Sequence, residues 1–187
     1  FSAKDFKSAR VKSSNCHYLF EDKLITGDLL TPLKNLDEIP SPYLNGLCDD
    51  LLKKGFFPII QTKKGCPFKC TFCEDGHDHF SRIRRFSFDR IKGEIEYLAK
   101  KGNLTPTLML ADLNFGMYED DIDVCREIAK NQKKYGWPKY FQGIAGKNKK
   151  DRVLEAAGIV QGSFLSSAVR AKFFLANPSA TLSWFRV

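Results

Sequence analysis

Apolar residues alternate along the chain between short runs of strand length and longer stretches at helical spacing. Four runs read as buried strands, at 58–62, 108–111, 140–144 and 163–169. Three helical patterns lie between them. Over 87–101, Phe88, Ile91, Ile95 and Leu98 form one stripe, with Ser87 as the predicted N-cap and Gly102 as the residue just past the end. Over 119–135, Ile122, Cys125, Ile128 and Ala129 face inward. Acidic residues open that stretch and lysines close it, as the helix dipole prefers. A third helix is predicted over 149–157. Strand, helix, strand at this spacing predicts βαβ units, hence parallel strands and right-handed crossovers. Ligands of such sheets bind beyond the carboxyl ends of the strands.

The flanks carry weaker patterns. His17-Tyr18-Leu19-Phe20 and Lys23-Leu24-Ile25-Thr26 flank Glu21-Asp22, which predicts a small hairpin with a polar turn. Cys16 and His17 read there as surface strand residues rather than ligands. Residues 36–43 form a rigid extended segment, because Pro40 and Pro42 each fix φ and restrain the residue before them. A short helix is predicted over 44–54, with Leu44, Leu47, Cys48 and Leu51 as its inward stripe. From Arg170 onward no period holds, through Phe173, Phe174, Leu175, Trp184 and Phe185. That tail, and the start at Phe1, suggest a piece of a longer chain.

Composition narrows the function. The 187 residues are 43% hydrophobic and 28% charged, ordinary values for one soluble domain. No apolar run approaches the roughly 18 to 20 residues of a membrane span, so no membrane partner is expected. The formal net charge of +8 is spread over Lys63-Lys64, Lys100-Lys101, Lys133-Lys134 and the 147–150 stretch. A nucleic-acid surface gathers its cations on one face with aromatics between them, so nucleic acid is not an expected partner. Clustered cysteines without a visible leader fit a reducing, cytoplasmic setting better than a disulfide-bonded loop.

The candidate chemistry sits just after the first strand. Three of the six cysteines, Cys66, Cys70 and Cys73, follow Gly65 within one loop. Gly65 frees the backbone where the chain leaves the strand, and Pro67 pushes Cys66 towards an extended conformation. Soft sulfur ligands select zinc, Cu(I) or iron–sulfur clusters over magnesium or calcium. Three local thiolates leave one position of a four-iron cluster open. His77 and His79 keep a second reading open, a Cys3His zinc site closed by His77 that would stabilise a binding module without catalysis.

The spacing Cys66-x3-Cys70-x2-Cys73, with Phe72 before the third cysteine, resembles the signature of the radical SAM superfamily. The resemblance implies a 4Fe-4S cluster on Cys66, Cys70 and Cys73, with S-adenosylmethionine chelating the fourth iron. One electron then cleaves the sulfonium, and the 5′-deoxyadenosyl radical abstracts hydrogen from a substrate. It implies further that Phe72 borders the adenine and that the loop after the second strand meets the methionine amine. Here that loop is Asp112-Leu113-Asn114-Phe115-Gly116, so Asp112 and Asn114 are the candidate contacts, in place of the superfamily's frequent Gly-Gly-Glu. Gln142 is either a further contact or an ordinary core or edge glutamine. The Pro40-Ser41-Pro42-Tyr43 segment resembles the joint in a subgroup whose cobalamin-binding domain precedes the core. Cobalamin is therefore a cofactor implied for a full-length protein, and an electron donor such as flavodoxin or ferredoxin is the implied partner.

The expected fold is α/β, a partial (β/α) barrel of parallel strands truncated after three or four units. Residues 1–54 form the lead-in, 55–169 the partial core, and 170–187 an irregular tail. The expected function is that of a radical SAM core fragment acting on a small-molecule or biosynthetic substrate that the sequence does not name. A fragment unable to close its barrel, and so inactive alone, is the third reading.

Overall fold

In a computed structural model of the chain, residues 14–101 and 105–166 are described, apart from the side chains of His79, Phe164 and Ser166. The predicted tail, residues 167–169 of the last predicted strand and Gly102 lie outside the described residues. The chain divides into two compact units between Lys34 and Asn35.

The first unit holds the predicted hairpin. Strand β1 (His17–Phe20) pairs antiparallel with β2 (Lys23–Thr26), His17 opposite Thr26 and Phe20 opposite Lys23. Glu21 and Asp22 have φ of 46° and 57°. Two consecutive left-handed residues match the twist of a two-residue hairpin turn. Cys16 is exposed beside it.

The second unit is built on four parallel strands in the order β3 (Ile59–Ile60), β6 (Thr107–Leu110), β7 (Tyr140–Ile144) and β8 (Ser163–Ser166). Each strand after β3 pairs with the one that precedes it in this order. The register places Ile60, Leu110, Gly143 and Leu165 in one row and Ile59, Met109 and Gln142 in the next. The first row faces the core, where Ile60, Leu108, Leu110 and Phe141 meet Ile91, Ile95 and Leu98 of α2 (Phe88–Lys101) and Ile122, Cys125 and Ile128 of α3 (Asp120–Tyr135). Ala156 of α4 (Lys150–Ile159) joins the same cluster. The other face keeps Ile59, Tyr140 and Ile144 exposed. Gly143 belongs to the packing: a Cβ there would stand 3.2 Å from Leu165 Cδ2.

Ser87 caps α2 as predicted, its Oγ accepting a hydrogen bond from Arg90 N at 3.3 Å. The stripe is three-quarters right, since Phe88 at its start is exposed. One further pair of strands did not show in the sequence. Strand β4 (Lys63–Lys64) pairs antiparallel with β5 (Arg84–Arg85), and two basic residues on each strand carry no period to read.

The helix predicted over 44–54 is much shorter. Only α1 (Asp49–Lys53) forms, and its buried residue is Leu52. Leu44, Leu47 and Leu51 are exposed, Leu47 by 75%. The reason lies in Tyr43. Its hydroxyl donates to Ile59 O at 2.7 Å and accepts from Ile59 N at 2.9 Å. The segment is thus held as turns against the edge of β3, and Gly46 at φ 73° breaks any helix before Asp49.

Tyr43 does for β3 what a neighbouring strand would do, satisfying an edge that parallel sheets otherwise leave open. We expect Tyr43→Phe to cost about 1–3 kcal/mol, because both Ile59 backbone groups lose their partner. A lower urea midpoint at unchanged slope, with faster exchange of the Ile59 amide, checks this; an unchanged midpoint would show the hydroxyl to be dispensable.

Candidate metal centre

The site is assembled at the carboxyl ends of β3, β6 and β7, and its foundation is a buried ion network. Lys63, half of the Lys63-Lys64 basic pair, is only 4% exposed. Its ammonium bonds to Asp121 Oδ1 and lies 3.6 Å from Asp112 Oδ2. The rings of Phe115 and Tyr118 stand 5.6 and 5.3 Å from it. Asp121 Oδ2 in turn accepts from Gly116 N at 2.8 Å and Tyr118 N at 3.0 Å. Asp112 accepts from Thr62 N at 2.7 Å, Lys63 N at 3.3 Å and the Thr62 hydroxyl. Burial pushes the Asp112 carboxyl above its ordinary value, against the pull of Lys63 and Thr62. Burial also works against charge on Lys63.

Directly beyond this anchor the cysteine loop turns out. Gly65 has φ 110°, and a Cβ there would meet Arg82 O at 2.5 Å. Only glycine fits both demands. Cys66 N donates to Phe80 O at 2.9 Å, which ties the two ends of the loop together. Within it, Cys73 N donates to Cys70 O at 3.1 Å and Gly76 N to Cys73 O at 2.9 Å. Gly76 packs directly on the Cys70 backbone, where a Cβ would clash. Cys66 is buried, and Cys70 and Cys73 are half-buried.

Two side chains reach the sulfurs. Asn114 Nδ2 donates to Cys66 Sγ at 3.2 Å, and Asn114 Oδ1 is buried without a partner. Lys147, just past β7, donates to Cys70 Sγ at 3.3 Å and lies 5.3 Å from the centre of the Phe68 ring. Its pKa is raised, chiefly by that bond, and the nearby Cys66 and Cys73 thiols add to the effect. A backbone splice holds these residues together: Phe115 N donates to Ile144 O at 2.9 Å and Gly146 N to Phe115 O at 2.8 Å.

The other candidates stand apart. Phe72 is 87% exposed at the rim of the loop, and His77 is exposed. Gln142 is half-buried in the Ile59–Met109 row. Cys48 is half-buried and Cys125 fully buried in the core, its thiol pushed up to about 12 by burial. Among the described residues no three His, Cys, Asp or Glu side chains stand close enough to hold a single metal ion. The three thiols, the two N–H donors aimed at sulfur and the orphaned Asn114 oxygen fit a cluster with a ligand beside it. Lys63, Thr62, Asp121 and Lys147 were not legible as site residues, because only their distant partners mark them.

The curated relatives of this chain are methyltransferases, and one of them is named as a radical SAM enzyme. The chain is homologous to part of the cobalamin-dependent radical SAM methyltransferase TokK of Streptomyces tokunonensis, 30% identical over 154 residues, 76% of this chain and 22% of TokK. The cobalamin-dependent S-adenosylmethionine radical enzyme OxsB, solved with aqua-cobalamin and S-adenosylmethionine bound, shares the fold at a TM-score of 0.56 and 18% identity, over 88% of this chain and 25% of its own. The radical S-adenosylmethionine methyltransferase TsrM from Kitasatospora setae, solved with cobalamin and a 4Fe-4S cluster bound, follows at 0.50 and 16% identity, over 63% of this chain and 22% of its own. No protein-family model matches. The chain spans about a fifth of the length of the curated relatives it matches. No described helix is long and apolar enough to cross a membrane.

Removing the central cation tests the network. Lys63→Met leaves two buried carboxylates without a counter-charge, and we expect a loss of about 3–5 kcal/mol near neutral pH. A carboxyl whose folded pKa is raised favours its protonated form. Its contribution is fully present below the ordinary value of about 4 and is lost as pH rises through the folded value. The deficit of the variant should therefore shrink as pH falls from about 8 towards 4. Urea denaturation of both proteins across that range checks it, and a deficit flat with pH would clear the carboxylates.

Proposed function

We propose that this chain is the opening part of a radical SAM catalytic core, in which Cys66, Cys70 and Cys73 hold a 4Fe-4S cluster and Asn114 meets S-adenosylmethionine. The observation that carries this is the Asn114 amide, which spends its N–H on Cys66 Sγ and keeps a buried oxygen without a donor. Such an acceptor costs about 1–3 kcal/mol. The N–H groups of the methionine amine, arriving beside the cluster, would satisfy it. When bound, the cluster supplies the electron that cleaves S-adenosylmethionine to a 5′-deoxyadenosyl radical.

The chain's own residues bind, orient and shield. Asp112 acts from behind, fixing Thr62 and Lys63 where the cysteine loop begins, so its part in cofactor binding is through the loop it anchors. Phe72, exposed beside Cys73, would form one wall for the adenine. The sheet reads as the first staves of a (β/α) barrel, supported by strands that follow in order and helices gathered on one face. The full-length protein would add cobalamin, as the names of the relatives indicate for them, and a methyl transfer to a small-molecule or biosynthetic substrate. A flavodoxin or ferredoxin would supply the electron.

Anaerobic reconstitution tests the reading. The expected product is brown, absorbs near ~400 nm and carries about four irons per chain. Cys66→Ala, Cys70→Ala and Cys73→Ala should each lose the cluster, while Cys16→Ala, Cys48→Ala and Cys125→Ala keep it. S-adenosylmethionine should alter the EPR spectrum of the reduced protein. Asn114→Ala should weaken that response about tenfold to a hundredfold in affinity, the worth of one charge-assisted hydrogen bond. A colourless protein binding one zinc would refute the proposal.

A further inference from the structure

We infer that Lys147 tunes the reduction potential of the cluster, raising it by holding a positive N–H donor against the Cys70 sulfur; this rests on the cluster reading above. Three observations place the lysine there. Its Nζ lies 3.3 Å from Cys70 Sγ, and the Phe68 ring, 5.3 Å away, covers it on one side. The splice between Phe115 and the 144–146 backbone fixes the segment that carries it. A bare surface lysine would have neither support.

The physical chain is short. Cluster potentials follow net charge, hydrogen bonds to sulfur and solvent exposure. Each added electron makes a thiolate-ligated cluster more negative, so an ammonium bonded to one ligand sulfur stabilises the reduced form more than the oxidised one. Asn114 supplies the same kind of bond to Cys66, but without charge. Lys147 is therefore the stronger lever of the two. The step concerned is a single electron passing from an added reductant to the cluster, with no bond made or broken in the protein.

The full 187-residue chain is reconstituted anaerobically beside Lys147→Met, Lys147→Gln and Lys147→Arg, and each is reduced stepwise with titanium(III) citrate under EPR detection. Lys150→Met, which removes an exposed charge three residues on, is the control. The expectation is equal iron in all five proteins and a Lys147→Met midpoint lower by at least 59 mV, a tenfold smaller reduced-to-oxidised ratio at fixed potential. Lys147→Arg should stay near the parent, Lys147→Gln should fall between, and Lys150→Met should not shift. Full iron with an unshifted Lys147→Met overturns the inference. Loss of iron in all three Lys147 variants, arginine included, also overturns it, by assigning the residue to folding. A parent chain that takes up no cluster overturns the cluster reading itself, a separate result.

Discussion

The structure depends on one buried ammonium. Lys63 sits between Asp112 and Asp121, so it ties the end of β3 to the end of β6 and to the first turn of α3. Taking these charges out of water costs as much as their attraction returns, and a buried ion network is weak support for stability as such. Its value here is positional. Cys66 follows Lys63 by three residues and Asn114 follows Asp112 by two, so the network sets where sulfur and amide meet. Gly116 N and Tyr118 N, both bound to Asp121, hold the far side of the same loop. Apolar replacements could hold these strands together, but they would not choose one register.

Much of the fold was legible because its elements are long or sharply punctuated. The 140–144 strand, the hairpin at Glu21-Asp22 and the helix capped by Ser87 all carry local signals, a period or a turn residue, that no distant contact has to override. The segment after Pro42 misled for an instructive reason. Leu44, Leu47 and Leu51 fall at helical spacing, yet the Tyr43 hydroxyl makes better use of this stretch as a brace for β3. One side chain bonding to a strand edge leaves no trace in periodicity. The four-residue strand pair of β4 and β5 is invisible for the simpler reason that two residues have no period.

The site divides the same way. Cysteine spacing is a local property, and so the three thiols could be named from the sequence. Their partners are not local: Asn114 lies 48 residues from Cys66 and Lys147 lies 77 from Cys70. Asn114 was reachable because strand order places its loop beside the cysteines. Lys147 was not, since one lysine in a basic stretch looks like any other. Lys63 is the sharper case. A lysine directly after an apolar strand is ordinarily solvated, and only two aspartates from elsewhere in the chain reverse that.

The loop's surfaces also differ in a way that bears on how it meets a ligand. Cys66 is buried against Asn114, Cys70 is half-buried against Lys147, and Phe72 beside Cys73 is almost wholly in solvent. The inner sulfurs thus have protein donors, and the outer edge presents an aromatic face. Exposing a phenylalanine ring to water forgoes roughly 1.5–3 kcal/mol of burial, and nothing in the loop turns it inward. A ligand that brings an amine to Asn114 and a flat ring to Phe72 would relieve both the orphaned acceptor and the exposed face in one binding event. Polar demand at Asn114 and apolar demand at Phe72 belong to the same three-cysteine loop and its neighbour, and a molecule such as S-adenosylmethionine carries groups of both kinds.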